Sequence, residues 1–204
     1  SIKPEAMLLI VRYCIDLKGE SIAQNYILQV ARNFAAEGVT TVEQIETKLS
    51  DYMVQSGDLA AVLRAMGSQK KPEPEDYNLY RVWTEELGFE AESIRFTASL
   101  LKKGGFAKLN DTMRELYANK KFSKIEIKEF FTKKAELRDL TLSIAKELGT
   151  YCPVIETYTD NFVSGWLAYG YESTSLIQLA KYCFKREKKS FEKMDELIRN
   201  LASL

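Results

Sequence analysis

The chain contains no histidine. That removes the commonest general base, the commonest metal ligand and the histidine partner of serine and cysteine nucleophiles. Cysteine is scarce: Cys14, Cys152 and Cys183 are odd in number and far apart in sequence. They read as reduced thiols of a cytoplasmic protein rather than a disulfide framework or a zinc site. Net charge is absent too, since 29 basic and 29 acidic side chains cancel. A general polyanion coat is excluded by that balance, whereas a local basic face is not. No apolar run reaches bilayer-spanning length and no signal peptide is visible, so no membrane span is expected. Glycine-rich phosphate loops and oxygen-rich cation loops are missing, and no carboxylate pair has a spacing that calls for acid–base work. No catalytic, metal or cofactor residue is therefore assigned, and the composition favours a binding protein over an enzyme.

What the chain does have is self-similarity. Leu87–Lys103 (LGFEAESIRFTASLLKK) and Tyr169–Lys185 (YGYESTSLIQLAKYCFK) align at an offset of 82 residues, with Gly88 on Gly170, Glu90 on Glu172, Ala98 on Ala180 and Lys103 on Lys185. Tyr13-Cys14 with Ser21 is echoed by Tyr182-Cys183 with Ser190, at about twice that period. Internal repetition of this kind outranks any single motif as a fold signal. With 46% hydrophobic and 28% charged residues the chain can build a core, and its periodicity is helical almost throughout. The expected architecture is all-α, a helical bundle or array of three tandem units: 1–67, 75–148 and 151–204, with a polar, proline-bearing linker at 68–74.

Local signals place the elements. Pro4 opens a helix to Leu17; Ser21 caps a second, Ile22–Ala36, stopped by Gly38. Thr41 with Gln44 forms a capping box for a helix near Val42–Tyr52, and a short helix, Asp58–Met66, follows. Helices are then expected at Asp76–Leu87, Glu92–Lys103 and Lys108–Asn119, and a second capping box, Ser123 with Glu126, opens a helix to Leu148. The last unit has helices near Val154–Tyr169, Thr174–Arg186 and Phe191–Ser203, and is expected to continue beyond Leu204.

The ordered combination of a Trp-containing helix, then Gly-[Phe/Tyr]-[Glu/Asp], an Ala-bearing helix and a Tyr-x-x-x-Ile-x-x-x-Trp-like helix resembles the DnaD-like domain of bacterial and phage replication proteins. Here those features are Trp83 and Gly88, Trp166 and Gly170, and the stripe Tyr26, Val30, Phe34. Further stripes run over Leu109, Met113, Tyr117 and over Met194, Ile198, Ala202. The resemblance implies three degenerate copies of that domain in a non-enzymatic protein. It also implies a place in primosome assembly, with DNA, a replicative helicase or its loader, and further copies of the chain as partners. Tyr26, Val30, Phe34, Trp83, Gly88, Trp166 and Gly170 read as supports of the fold: a stripe at i, i+4 and i+8 is more often core than ligand surface, and the two glycines suit left-handed positions after a helix.

Charge is unevenly spread. Lys102–Lys134 holds ten basic and four acidic residues, and Lys181, Lys185, Arg186, Lys188, Lys189 and Lys193 make a second basic cluster. Phe106, Tyr117, Phe122, Phe184 and Phe191 lie among them. Lysines neutralise phosphates and exposed rings stack on unpaired bases. The candidate DNA contacts are Lys102, Lys103, Lys120, Lys121 and Lys124, then Lys185, Arg186, Lys188 and Lys189. Glu37, Glu43, Glu46, Asp51 and Asp58 form an acidic counterpart that suits a basic protein partner. The rival to the DNA-binding reading is a helical-repeat adaptor that binds proteins alone.

Overall fold

The computed structural model describes residues 2–101 and 104–202, and every regular element among them is helical. α1 (Pro4–Lys18) begins on a proline, whose fixed φ and missing N–H suit a first helical position. α2 (Gln24–Ala36) starts two residues later than the periodicity indicates. Ser21 does not cap it: Gly19, at φ +91°, ends α1, and Glu20–Ala23 are used up in reversing the chain. α3 is one uninterrupted helix, Val42–Ala65, where two were expected. Gly57 does not break it, because Leu59, Val62 and Leu63 beyond it are buried and packing overrides the roughly 1 kcal/mol helix penalty of a glycine. α4 (Pro74–Arg81) takes Pro74 from the expected linker and is capped reciprocally by Glu73 and Asp76. α5 (Ala91–Leu100), α6 (Gly105–Ala118), α7 (Lys124–Leu148), α8 (Ile155–Tyr158), α9 (Ser164–Ala168), α10 (Ser173–Lys185) and α11 (Phe191–Ala202) complete the chain.

Both long helices open on the capping boxes legible in the sequence. Thr41 Oγ1 accepts from the Gln44 N–H at 3.3 Å while the Gln44 side chain accepts from the Thr41 N–H at 3.1 Å. At α7, Ser123 Oγ accepts from the Glu126 N–H at 3.3 Å and Glu126 Oε2 accepts from the Ser123 N–H at 3.0 Å. The two boxes stand 82 residues apart. The same offset joins the left-handed residues Gly38 and Lys120 before them, and Gly67 and Gly149 at the far ends. Each Trp-bearing helix also contains a single π-helical turn, Val82–Glu86 after α4 and Thr159–Val163 between α8 and α9. In the first, Trp83 lies inside the turn and Phe89 N–H reaches six residues back to the Trp83 carbonyl at 2.9 Å. In the second the turn precedes Trp166, and Tyr171 N–H reaches only five residues back, at 3.2 Å. The extra residue is thus accommodated on different sides of the tryptophan, and the two indoles are 83 rather than 82 residues apart.

The chain forms two compact units, Ser1–Ile127 and Lys128–Leu204. In the first, α3 packs on α1, α4 and α5. Tyr52 of α3 stacks on Tyr77 of α4 (4.1 Å, 15°) and meets Phe34 edge-on (6.3 Å, 68°). In the second, Leu140, Ile144 and Leu148 of α7 join Trp166, Leu176, Cys183, Phe191 and Ile198 in one apolar cluster. The division falls within α7, whose residues 128–139 include no buried side chain. All three cysteines are free and buried. Burial pushes the Cys14 thiol up to about 11.

Candidate nucleic-acid interface

The first basic site is the turn between α6 and α7. α6 ends at Ala118, Lys120 takes a left-handed conformation at φ +54°, and Lys121 N–H returns to the Leu116 carbonyl at 2.9 Å. That reversal sets Lys120, Lys121 and Lys124 side by side around the start of α7. Lys120 and Lys124 are exposed and Lys121 is half-buried. The Lys124 ammonium lies 3.5 Å from Glu92 and 5.4 Å from the centre of the Phe96 ring. Phe122 is anchored on one side by buried Phe89 (5.2 Å) and meets Tyr117 edge-on (6.0 Å, 85°); part of both Tyr117 and Phe122 faces solvent. Glu126 accepts three hydrogen bonds from Phe122 and Ser123, which hold its carboxyl below the usual range and fix the turn.

The second site is the α10–α11 turn of the other unit. Glu187 is left-handed at φ +60°, and Lys188 N–H bonds the Cys183 carbonyl at 2.9 Å. Lys185, Arg186 and Lys189 are exposed and Lys188 is half-buried. Arg186 lies over the Tyr182 ring (5.4 Å) and Lys189 over Phe184 (4.8 Å), so exposed rings and cations alternate on one helix end. Phe184 rests against Gly149, where a Cβ would come within 2.9 Å of the ring. By the 82-residue offset this turn corresponds to the α5–α6 connection, not to the α6–α7 turn. Its counterparts there, Lys102 and Lys103, lie outside the described residues.

The residues named as supports of the fold divide between core and turn positions, with Tyr26 half-buried and Gly88 and Gly170 exposed. Val30, Phe34, Trp83 and Trp166 are buried, and Gly88 and Gly170 are left-handed at φ +75° and +94°. The Tyr26 hydroxyl donates to Glu73 at 3.4 Å beneath the Lys18 ammonium. Burial first, and Glu73 second, raise the pKa of that hydroxyl. Of the interleaved aromatics, Phe106 packs edge-on against Trp83 (5.6 Å) and Phe191 stacks on Trp166 (6.0 Å, 9°). In α6 the stripe closes on buried Leu116, leaving Tyr117 half outside.

Two exposed apolar residues, Ile125 and Tyr151, have no part in the sequence reading, and exposed Tyr182 enters it only as part of the repeat. Tyr182 is one residue from buried Cys183 and Ile125 two from buried Ile127, and each step along a helix turns a side chain by about 100°. Tyr151 follows the Gly149 turn and carries no such signal. The indole partners were also hidden: Trp83 Nε1 donates to Asn110 at 3.0 Å and Trp166 Nε1 to Asp195 at 2.8 Å.

Among the described residues no helix is long and apolar enough to cross a membrane. No curated protein and no solved structure matches the chain. Residues 1–49, spanning α1, α2 and the first turns of α3, match the model of a family described as replication initiation and membrane attachment, which supports the DnaD-like resemblance and a replication-associated role.

Proposed function

We propose that this chain is a non-enzymatic, DNA-binding scaffold of replication initiation, acting in the cytoplasm alongside a replicative helicase or its loader. The observation that carries the reading is the family match over residues 1–49. The chemistry that supports it is the pair of basic turns, each built on a left-handed residue and each flanked by partly exposed rings. Lys120, Lys121 and Lys124 on one, and Lys185, Arg186, Lys188 and Lys189 on the other, contact phosphates; Tyr117, Phe122, Tyr182 and Phe184 offer stacking faces. Three copies of one helical design account for the order of elements: α1–α3, α4–α7 and α8–α11. The recurring 82-residue offset supports that reading.

Fluorescence anisotropy with labelled oligonucleotides across a salt series tests it. Affinity falls linearly in log salt, with a slope set by the number of phosphates neutralised. Replacing Lys120, Lys121 and Lys124 by glutamate lowers both affinity and slope while the helical circular dichroism is retained. Unchanged affinity in that variant removes the first turn from the site. No binding at low salt overturns the DNA reading in favour of a protein-only adaptor.

A further inference from the structure

One face of the middle of α3 is exposed, although Tyr52 on the same stretch is buried in the first unit. Glu46, Ser50, Met53, Val54 and Gly57 recur at helical spacing on one face. Met53 is 78% and Val54 81% exposed. Nothing in the fold requires apolar residues there. The positions of α7 that stand 82 residues on are Thr132, Ala135, Glu136 and Asp139 in place of Ser50, Met53, Val54 and Gly57, and that stretch is exposed as well. Gly57 has no positive φ and no atom within 4 Å of where a Cβ would sit. Its missing side chain thus serves no contact within the chain, but lets another surface approach the helix closely. Exposed acids border the patch: Glu43, Glu46 and Asp51.

The α6–α7 turn has the opposite character. Ile125 is 71% exposed, Tyr117 and Phe122 are partly so, and Lys120, Lys121 and Lys124 surround them. Each chain therefore carries an acid-edged apolar patch and a lysine-edged apolar patch, and the two are complementary in charge and alike in chemistry.

We propose that the exposed face of α3 docks on the α6–α7 turn of a second copy of this chain. Met53 and Val54 meet Ile125 and Phe122, and Glu46 and Asp51 face Lys121 and Lys124. Apolar contact supplies the attraction, and the flanking charges select the partner surface. The contact joins unlike surfaces, so it propagates from copy to copy unless the rotation closes. This inference does not depend on DNA binding.

Sedimentation velocity of the full chain, without DNA and at low ionic strength, tests it through charge exchange. Wild type sediments above the monomer as concentration rises, and added salt weakens the association. E46K/D51K makes both surfaces basic and K121E/K124E makes both acidic; each weakens association about tenfold or more. Mixing the two variants in equal amounts restores it, because each then supplies the surface the other lacks. Met53→Ser/Val54→Ser weakens association as well, with unchanged circular dichroism. A wild type that stays monomeric, charge variants that associate like wild type, or a mixture that stays monomeric would each overturn the proposal. Because E46K/D51K leaves the basic turn intact, its oligonucleotide affinity separately reports the DNA reading.

Discussion

Trp166→Phe should destabilise the second compact unit by about 2–3 kcal/mol, and more than Trp83→Phe destabilises the first. Trp166 is wholly buried, stacks on Phe191 and donates its indole N–H to the Asp195 side chain 2.8 Å away. Phenylalanine preserves the stack but leaves a small void, for which about 1 kcal/mol is lost. Losing a hydrogen bond to a charged acceptor adds about 1.5–3 kcal/mol. The lower end applies here: Asp195 is 16% exposed and its other oxygen keeps the Arg199 Nε–H at 2.7 Å, so the carboxylate is not stranded. Trp83 donates to neutral Asn110 instead, and a neutral bond contributes only about 0.5–1.5 kcal/mol. The expected gap between the two variants is about 0.5 kcal/mol. Urea unfolding followed by far-ultraviolet circular dichroism measures each loss, with the surviving tryptophan as a fluorescence reporter of its own unit. A double-mutant cycle of Trp166→Phe with Asp195→Asn isolates the charge-assisted part. A coupling near zero, or a larger loss at Trp83, would refute the assignment of the indole–carboxylate bond as a main anchor of that core.

The other expectations concern single backbone and side-chain features. Lys120→Gly should stabilise the first unit by about 1 kcal/mol, because a lysine at φ +54° bears left-handed strain that Gly38 avoids at its own turn; thermal unfolding checks this, and the same variant should bind oligonucleotides less tightly. Gly57→Ala should stabilise by about 0.5–1 kcal/mol, since a methyl there enters open space inside a helix, and a loss of stability in denaturant titration would contradict the description of α3. Glu126 has a depressed pKa in the folded chain, so its stabilisation of the turn is complete above the ordinary value of 4.5 and is lost as pH falls through the folded pKa. Amide exchange at Phe122 and Ser123 should therefore become less protected on acidification, and Glu126→Gln should abolish that response. A thiol-reactive dye should label Cys14, Cys152 and Cys183 slowly in the folded protein and rapidly in denaturant, because all three are buried and burial disfavours each thiolate.

What the sequence made legible was chemistry acting over three or four residues. Thr41 with Gln44 and Ser123 with Glu126 announce helix starts because the partners lie one turn apart. Gly38, Gly67, Gly88, Gly149 and Gly170 mark real chain reversals. Where local signals competed with tertiary packing, packing won: two helices were expected over Val42–Tyr52 and Asp58–Met66, yet buried Leu59 and Val62 carry α3 through the gap. Ser21 is a good cap in isolation but lies in the turn that Gly19 begins. The π turns change no residue type and show in the sequence only as the one-residue shift between Trp83 and Trp166. The indole partners lie 27 and 29 residues downstream, where any small polar side chain would serve. At the candidate site the lysines were readable as a run, but which rings faced water was not. Tyr117 and Leu116 differ by one step on a helix, and only the packing of α6 decides which is inside.

Positions 82 residues apart in α3 and α7 carry opposite surfaces. Ile45 and Ile127 occupy matching places in α3 and α7, and both are wholly buried. Exposed neighbours at the same offset have reversed sign: Glu46 stands against Lys128 and Asp51 against Lys133. Buried positions are constrained by volume, so an isoleucine persists in both helices. Exposed positions are constrained only by what meets them, and a change of charge there is within about 0.5 kcal/mol of neutral for the fold. Opposite charge at such positions therefore costs the fold little. Electrostatics of this kind governs what a face attracts rather than how the chain folds. On that argument the zero net charge is no sign of an inert protein. It conceals an acidic face of α3 and a basic α6–α7 turn, and the two should respond to salt in different ways.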